Sequence, residues 1–146
     1  MSETIRKSHN VSSLVYHLVI PAKYRRAVLT EEIDKSLKEI CLEIEKRFEI
    51  IFLEIGTDKD HVHLLIQTVP NYKISEVVKK IKSITAREIF LKHPEVKKQL
   101  WGGEFWTNGY YVCTVGKYNS ESAIREYVKQ QGNKSEYQQL HLDLQQ

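Results

Sequence analysis

The sequence has 146 residues, of which 28% are charged and 41% hydrophobic, with a formal net charge of +3 at pH 7. These values are typical of a soluble globular protein with one domain. No apolar run approaches the roughly 20 residues of a membrane span, and the N-terminal stretch lacks the hydrophobic segment of a signal peptide. We therefore expect a cytoplasmic protein in which Cys41 and Cys113 are reduced thiols rather than a disulfide.

Charge is distributed unevenly along the chain. Residues 1–29 contain five Lys or Arg and one acidic residue, residues 30–60 contain five against ten, and residues 73–98 contain eight against three. Two basic regions that flank an acidic one fit a protein with one side facing a polyanion. Ordinary solvated surfaces are the alternative interpretation of the same pattern.

The first half of the chain predicts a strand followed by a helix. Residues 11–20 carry apolar side chains on both faces, which indicates a central strand, and Pro21 ends it. Thr30 is the expected N-cap of the helix. The loop between them is basic and contains one aromatic residue: Lys23, Tyr24, Arg25 and Arg26. It could contact phosphates and stack on bases, or it could be an ordinary exposed turn. Helical spacing predicts a buried stripe formed by Ile33, Leu37, Ile40, Cys41, Ile44 and Phe48.

Two further strands follow, and a turn at residues 56–59 is predicted to join them as a hairpin. The first, residues 49–55, alternates around Ile51, Leu53 and Ile55. In the second, residues 60–67, His61 and His63 share one face because strand side chains alternate. Two imidazoles about 7 Å apart at Cα can bind one divalent ion, and a pair of solvated histidines is the alternative.

The second half predicts a helix from about residue 74 to residue 91, ended by His93-Pro94. Its apolar face is Ile74, Val77, Val78, Ile81 and Ile84. The opposite face is a candidate nucleic-acid surface formed by Lys79, Lys80, Ser83 and Arg87. Residues 100–109 are rich in aromatics and glycine, for base stacking or core packing, and residues 110–115 form the last strand. A terminal helix is predicted at residues 120–131, followed by a polar tail at 134–146.

The order strand, helix, strand, strand, helix, strand is the pattern of ferredoxin-like or RRM-like folds. We expect an α+β domain over residues 1–146, with a core at about 10–133, an antiparallel sheet, helices on one face and an extra C-terminal helix. Val62, Leu64 and Ile66 would face the helices. His61 and His63 would then lie on the open face, where a substrate can reach them.

Tyr127 and Gln131 lie four residues apart on the terminal helix and therefore on one helix face. The Gln131 side-chain oxygen could complete a metal site with His61 and His63, and this nitrogen and oxygen set suits Mg²⁺ or Mn²⁺. Tyr127 could attack a phosphodiester in line and form a phosphotyrosine, which preserves the bond energy needed for rejoining without a nucleotide cofactor.

Three other tyrosines are alternative nucleophiles. Tyr137 has a candidate ligand, His141, four residues later, but in the polar tail. Tyr110 and Tyr111 lie at a strand edge, where packing or stacking is the more common role. The residues alone leave the choice open.

Four segments resemble the small single-tyrosine transposases of bacterial and archaeal insertion sequences, the TnpA type. Their histidine-hydrophobic-histidine (HUH) motif is matched by Asp60-His61-Val62-His63-Leu64-Leu65. Their opening strand and loop are matched by Tyr16-His17-Leu18-Val19, Pro21 and Lys23-Tyr24-Arg25-Arg26, and their tryptophan-glycine segment by residues 100–116. Tyr127 and Gln131 occupy the places of the nucleophile and the third metal ligand. The similarity covers roughly residues 10–133.

This resemblance implies a DNA transposase that cleaves and rejoins single-stranded insertion-sequence ends through a 5′-phosphotyrosine. Tyr127 would be the nucleophile, and Mg²⁺ or Mn²⁺ would be bound by His61, His63 and Gln131. It also implies a homodimer with joined sheets and two sites, and recognition of DNA hairpins. The candidates for hairpin contact are Lys23, Tyr24, Arg25, Arg26, Lys79, Lys80 and Arg87.

Two other functions remain in competition. A replication-initiator or relaxase-type nickase shares the HUH chemistry, although such proteins are usually longer. A non-catalytic ferredoxin-like module could bind RNA or DNA on its open sheet face through stacking aromatics.

Overall fold

A computed structural model describes residues 14–100 and 103–115, together with two short strands at 5–6 and 11–12. In chain order the elements are β1 Ile5–Arg6, β2 Val11–Ser12, β3 Leu14–Pro21, a 3₁₀ turn Lys23–Arg25, α1 Glu31–Arg47, β4 Ile51–Asp58, β5 His61–Thr68, α2 Ile74–Lys92, α3 Pro94–Gln99 and β6 Tyr111–Thr114. Within these ranges no helix is long and apolar enough to cross a membrane.

The main sheet has four antiparallel strands in the order β4-β5-β3-β6. β3 and β5 are the two central strands and pair along their whole length, from Leu14 opposite Thr68 to Pro21 opposite His61. The first and third strands of the β-α-β-β-α-β unit therefore lie in the middle, as in ferredoxin-like folds. The predicted α+β fold class is confirmed.

α1 and α2 cover one face of this sheet. Thr30 caps α1, because its hydroxyl accepts a hydrogen bond from the backbone N–H of Ile33 at 3.4 Å. The predicted apolar stripes of both helices pack against Val62, Leu64 and Ile66 of β5, and against Leu18 and Ile20 of β3. Phe48 and Ile74, at the ends of the stripes, are only partly buried. The helix side of the sheet is the main hydrophobic core.

The opposite face of the sheet carries a second, smaller cluster formed by Val15, Leu65 and Val115, with Leu53 packed against it. The predicted alternation around Ile51, Leu53 and Ile55 is not kept along the strand. A bulge shifts the register between Phe52 and Glu54 and breaks the alternation, so Ile55 packs in the helix-side core while Leu53 packs on the other side.

Two predicted boundaries also differ. The strand predicted at 11–20 is divided, because Val11–Ser12 pairs with Ile5–Arg6 whereas the main-sheet strand begins at Leu14. The turn predicted at 56–59 is shorter, since Gly56 pairs with His63 and β4 continues to Asp58. Only residues 59–60 form the turn, which makes this a two-residue hairpin.

The aromatic segment before β6 contributes to the core. Trp106 is 4% exposed, and its indole N–H donates to the Thr85 hydroxyl at 2.9 Å. That hydroxyl donates in turn to the backbone oxygen of Ile81 at 2.6 Å. This tryptophan is therefore structural, in agreement with the core-packing interpretation of the segment. Trp101 lies outside the described residues.

Substitution of Leu64 tests the helix-side core, because this side chain is only 1% exposed. Leu91, on the surface of α2, is 70% exposed and serves for comparison. We expect Leu64→Ala to lower the free energy of unfolding by about 2 to 5 kcal/mol, since it removes buried methyl groups and leaves a cavity. The matched change Leu91→Ala should alter it by no more than about 0.5 kcal/mol. Urea denaturation measures both, and equal losses in the two variants would contradict the assigned core.

Candidate functional site

His61 and His63 lie side by side on β5, on the sheet face away from α1 and α2. Their ring centroids are 5.1 Å apart and the ring planes are inclined by 69°. The predicted face is correct, because Val62 and Leu64 of the same strand pack in the helix-side core. The predicted accessibility is wrong, because His61 is 4% and His63 3% exposed. The same face carries a third imidazole, that of His17, beside His63.

His17 projects from β3 beside His63. In the β3–β5 register Val19 is opposite His63 and His17 is opposite Leu65, so the two histidines are diagonal neighbours on one face. His17 Nε2 lies 3.0 Å from His63 Nδ1, and the rings are inclined by only 8° with centroids 5.2 Å apart. The centroid separation is close to the sum of the N–N distance and the distances from each ring centre to its nitrogen. The rings therefore lie edge to edge in nearly one plane, as an N–H···N hydrogen bond requires.

Both rings of this pair are neutral at pH 7. Burial lowers the pKa of His17 to about 4. Burial, together with the charges of His17 and His61, lowers the pKa of His63 to about 3. A neutral imidazole has one donor and one acceptor nitrogen, so one ring of the pair can donate and the other accept.

Asp60 holds His61. The Asp60 carboxylate accepts a hydrogen bond from His61 Nδ1 at 2.7 Å, and its other oxygen lies 3.4 Å from Arg25 Nε. Burial raises the pKa of Asp60, but the hydrogen bond with His61 and the charge of Arg25 outweigh it and hold that pKa below its ordinary value. An ionised carboxylate on the Nδ1–H of a histidine is the usual support of a metal-binding imidazole.

The arrangement fits two nitrogen ligands of one divalent ion. Nδ1 of both rings is engaged by a neighbour, so coordination would use the Nε2 atoms. A centroid separation of 5.1 Å is within reach of one ion bound to both rings at about 2.1 Å. In the part of the chain that the structure describes, no three His, Cys, Asp or Glu side chains come together to hold a metal. Tyr127 and Gln131, the other predicted site residues, lie outside that part.

The basic loop after β3 divides into two pairs of residues with different surroundings. Lys23 Nζ lies 2.7 Å from a Glu104 carboxylate oxygen, and Arg25 contacts Asp60. Tyr24 is 55% exposed and Arg26 is also exposed. Tyr24 and Arg25 both have positive φ angles, of 58° and 53°, a backbone conformation that costs free energy in residues other than glycine and is common at functional sites.

A groove of about 670 Å³ runs between α2 and the segment before β6. Of the predicted basic face, Lys79, Ser83 and Arg87 line this groove. Lys80 does not, and its ammonium lies 5.1 Å from the centre of the Phe48 ring. The rest of the polar and aromatic lining includes Ser75, Lys82, Phe90, Glu104, Asn108 and Tyr110.

Lys82 is not among the predicted DNA contacts, although it lines this groove. Its ammonium donates to the backbone oxygens of Thr107 at 2.6 Å and Asn108 at 3.2 Å, which ties α2 to the segment before β6. Burial lowers the pKa of Lys82 from its ordinary value. The only signal in the sequence was its place between the apolar and basic faces of α2.

Comparisons with known proteins identify the family. The family model described as "Transposase IS200 like" matches residues 10–131, a span that includes Tyr127 and Gln131. The ISDra2 transposase TnpA of Deinococcus radiodurans is 37% identical over 126 residues, which cover 85% of this chain and 88% of that protein. The transposase for insertion sequence element IS200 of Salmonella typhimurium is 28% identical over 124 residues, covering 85% and 80%.

Solved structures agree. A crystal structure of a candidate transposase from Deinococcus radiodurans R1 superimposes with a TM-score of 0.69 and 31% identity, covering 87% of this chain and 98% of that one. A REP-associated tyrosine transposase bound to a REP hairpin superimposes with a TM-score of 0.54, covering 88% and 68%, but at 14% identity it supports the fold alone. The chain therefore belongs to the IS200-like transposase family.

Proposed function

We propose that this transposase cleaves and rejoins single-stranded DNA at insertion-sequence ends, with Tyr127 as nucleophile and a divalent metal at His61, His63 and Gln131. One observation supports this proposal most strongly: His61 and His63 stand together with both Nδ1 atoms engaged, in a member of a transposase family. The family implies DNA strand transfer, and the histidine pair supplies a chemical means for it.

The metal ligands would be the Nε2 atoms of His61 and His63 with the side-chain oxygen of Gln131. Two neutral nitrogens and one neutral oxygen suit Mn²⁺, or Mg²⁺ with retained waters. When bound, such an ion polarises the scissile phosphodiester and neutralises charge in the transition state. The three ligands add no negative charge of their own, which favours binding of an anionic DNA backbone.

In cleavage, the Tyr127 oxygen attacks the phosphorus, and its proton passes to water. The bond from phosphorus to the 3′ oxygen breaks. The departing 3′ oxygen takes a proton from water and becomes a free 3′ hydroxyl, and Tyr127 keeps the 5′ phosphate as a phosphotyrosine. In rejoining, a 3′ hydroxyl attacks the same phosphorus, its proton passes to water, and the released Tyr127 oxygen takes a proton from water. Because each step exchanges one phosphodiester for another, rejoining needs no nucleotide cofactor.

Hairpin DNA would bind along α2. The REP-associated relative is bound to a REP hairpin, and the groove of this chain has Lys79, Lys82 and Arg87 in its lining. These cations suit phosphate contact, and Tyr110 offers a ring for an unpaired base. Tyr24 and Arg26 form a second exposed patch, whereas Lys80 lies outside the groove. We also propose a homodimer with two sites, in which Tyr127 serves its own subunit or its partner.

Tyr127→Phe should abolish the covalent protein–DNA adduct, because phenylalanine has no oxygen to attack phosphorus. Hairpin binding should stay close to that of the unchanged protein, since the contacts along α2 remain. The adduct is measured by denaturing electrophoresis of labelled hairpin DNA with its flanking single strand, incubated with Mn²⁺, and binding is measured by fluorescence anisotropy.

Tyr137→Phe is the matched control and should form the adduct normally. An adduct that persists in Tyr127→Phe would refute the assigned nucleophile. If the unchanged protein binds the hairpin but forms no adduct with Mn²⁺ or Mg²⁺, the non-catalytic binding module becomes the better description.

Lys79→Ala and Arg87→Ala should each weaken hairpin binding irrespective of sequence. Each removes a phosphate contact, so the slope of log K against log salt should become shallower by about one. Lys38→Ala is the control, because Lys38 is an exposed lysine of α1 that pairs with Asp34 at 3.0 Å, away from the groove. Titrations at several salt concentrations measure the slopes, and an equal change in Lys38→Ala would argue against α2 as the DNA surface.

A further inference from the structure

We propose that His17 is a positioning residue of the metal site, which accepts a hydrogen bond from His63 Nδ1 and so presents His63 Nε2 to the ion. The inference rests on the proposed function, because it presupposes that His61 and His63 bind a divalent metal. It adds a third histidine, on a different strand, whose role is to orient a ligand rather than to be one.

The geometry of the pair is that of a directional hydrogen bond. His17 Nε2 and His63 Nδ1 are 3.0 Å apart, and the 8° inclination places both rings in nearly one plane. His17 is 0% and His63 3% exposed, so water does not compete for this contact. His17 is held on its far side by Tyr111, whose ring meets it edge-on at a centroid distance of 6.1 Å. Its orientation is thus defined by two strands, β5 and β6.

Coordination determines which ring donates. A metal on His63 Nε2 requires that nitrogen to be unprotonated, so the proton of neutral His63 is on Nδ1. Nδ1–H must then donate, and His17 Nε2 must accept, which requires His17 to be neutral with its proton on Nδ1. The His17–His63 contact is therefore kept when His63 takes the tautomer that can bind a metal, provided that His17 is the acceptor.

The two ligands are supported differently. His61 donates to an anionic carboxylate, that of Asp60, whereas His63 donates to a neutral imidazole. A second carboxylate would also fix the tautomer, but it would place another negative charge beside a phosphodiester. The neutral imidazole of His17 adds no such charge, so the electrostatic potential at the site stays favourable for an anionic substrate.

The alternative is that His17 only fills the sheet interior. A purely structural histidine would affect stability and leave metal affinity in the folded protein unchanged. Loss of a residue that orients a metal ligand typically weakens metal binding by about 10- to 100-fold. Metal affinity therefore separates the two roles, independently of any DNA cleavage.

The test uses the full chain without DNA and titrates it with Mn²⁺ alone, by calorimetry and by the electron paramagnetic resonance signal of free Mn²⁺. His17→Leu should raise the Kd for Mn²⁺ by about 10- to 100-fold, because leucine fills similar space without an acceptor. His17→Gln, which offers a side-chain oxygen to His63 Nδ1, should recover much of the affinity. His93→Gln is the matched control, since His93 contacts Ser36 at 2.7 Å away from this site, and it should bind Mn²⁺ normally.

The outcomes distinguish this inference from the proposed function. If the unchanged protein and His17→Leu bind Mn²⁺ equally, while His61→Ala loses it, the metal site stands and the role of His17 is refuted. If the unchanged protein binds no Mn²⁺, the metal site itself is refuted and the inference with it. Thermal melting accompanies each titration, so that affinity is compared only among folded variants.

A second measurement does not depend on any variant folding. Long-range proton–nitrogen NMR of the unchanged protein, saturated with diamagnetic Mg²⁺, reports which nitrogen of each imidazole carries the proton. We expect His63 to be protonated on Nδ1 and His17 on Nδ1. A His17 protonated on Nε2 would overturn its role as the acceptor.

Discussion

The pairing of β3 with β5 is the constraint on which the rest of the structure depends. Its register places Leu18 opposite Leu64 towards the helices, and Val19 opposite His63 towards the other face. A slip of one residue would reverse every side chain of a strand, so the hydrophobic core defines the register strongly. The same register places His17 within hydrogen-bonding distance of His63. The candidate site is therefore positioned by contacts that also form the core.

Three buried imidazoles would be costly if their polar atoms were left without hydrogen bonds, and the site shows how this cost is limited. One nitrogen of each ring has a partner, because His17 Nε2 pairs with His63 Nδ1 and His61 Nδ1 with Asp60. Asp60 is in turn contacted by Arg25, from the loop with positive φ angles. The exposed loop is thus linked to His61 through Asp60, while His17 orients His63, so both rings are already oriented before a ligand arrives.

Strand alternation is a local property, and for that reason the shared face of His61 and His63 could be predicted from eight consecutive residues. The contact between His17 and His63 could not, because it depends on pairing between residues 46 positions apart in sequence. The bulge between Phe52 and Glu54 could not be predicted either, because the alternation of apolar residues does not show where a strand contains an extra residue. Burial of the histidines depends on packing across the whole sheet face, which no single segment encodes.

Diffraction from crystals grown with Mn²⁺, collected at the manganese absorption edge, tests the central claim most directly. We predict one anomalous peak per site, bonded to the Nε2 atoms of His61 and His63 and to the Gln131 side-chain oxygen at about 2.0 to 2.3 Å. His17 should not bind the ion, and its Nε2 should still lie on His63 Nδ1, across the ring from the peak. A peak bonded to His17, or none near the histidine pair, would contradict the account.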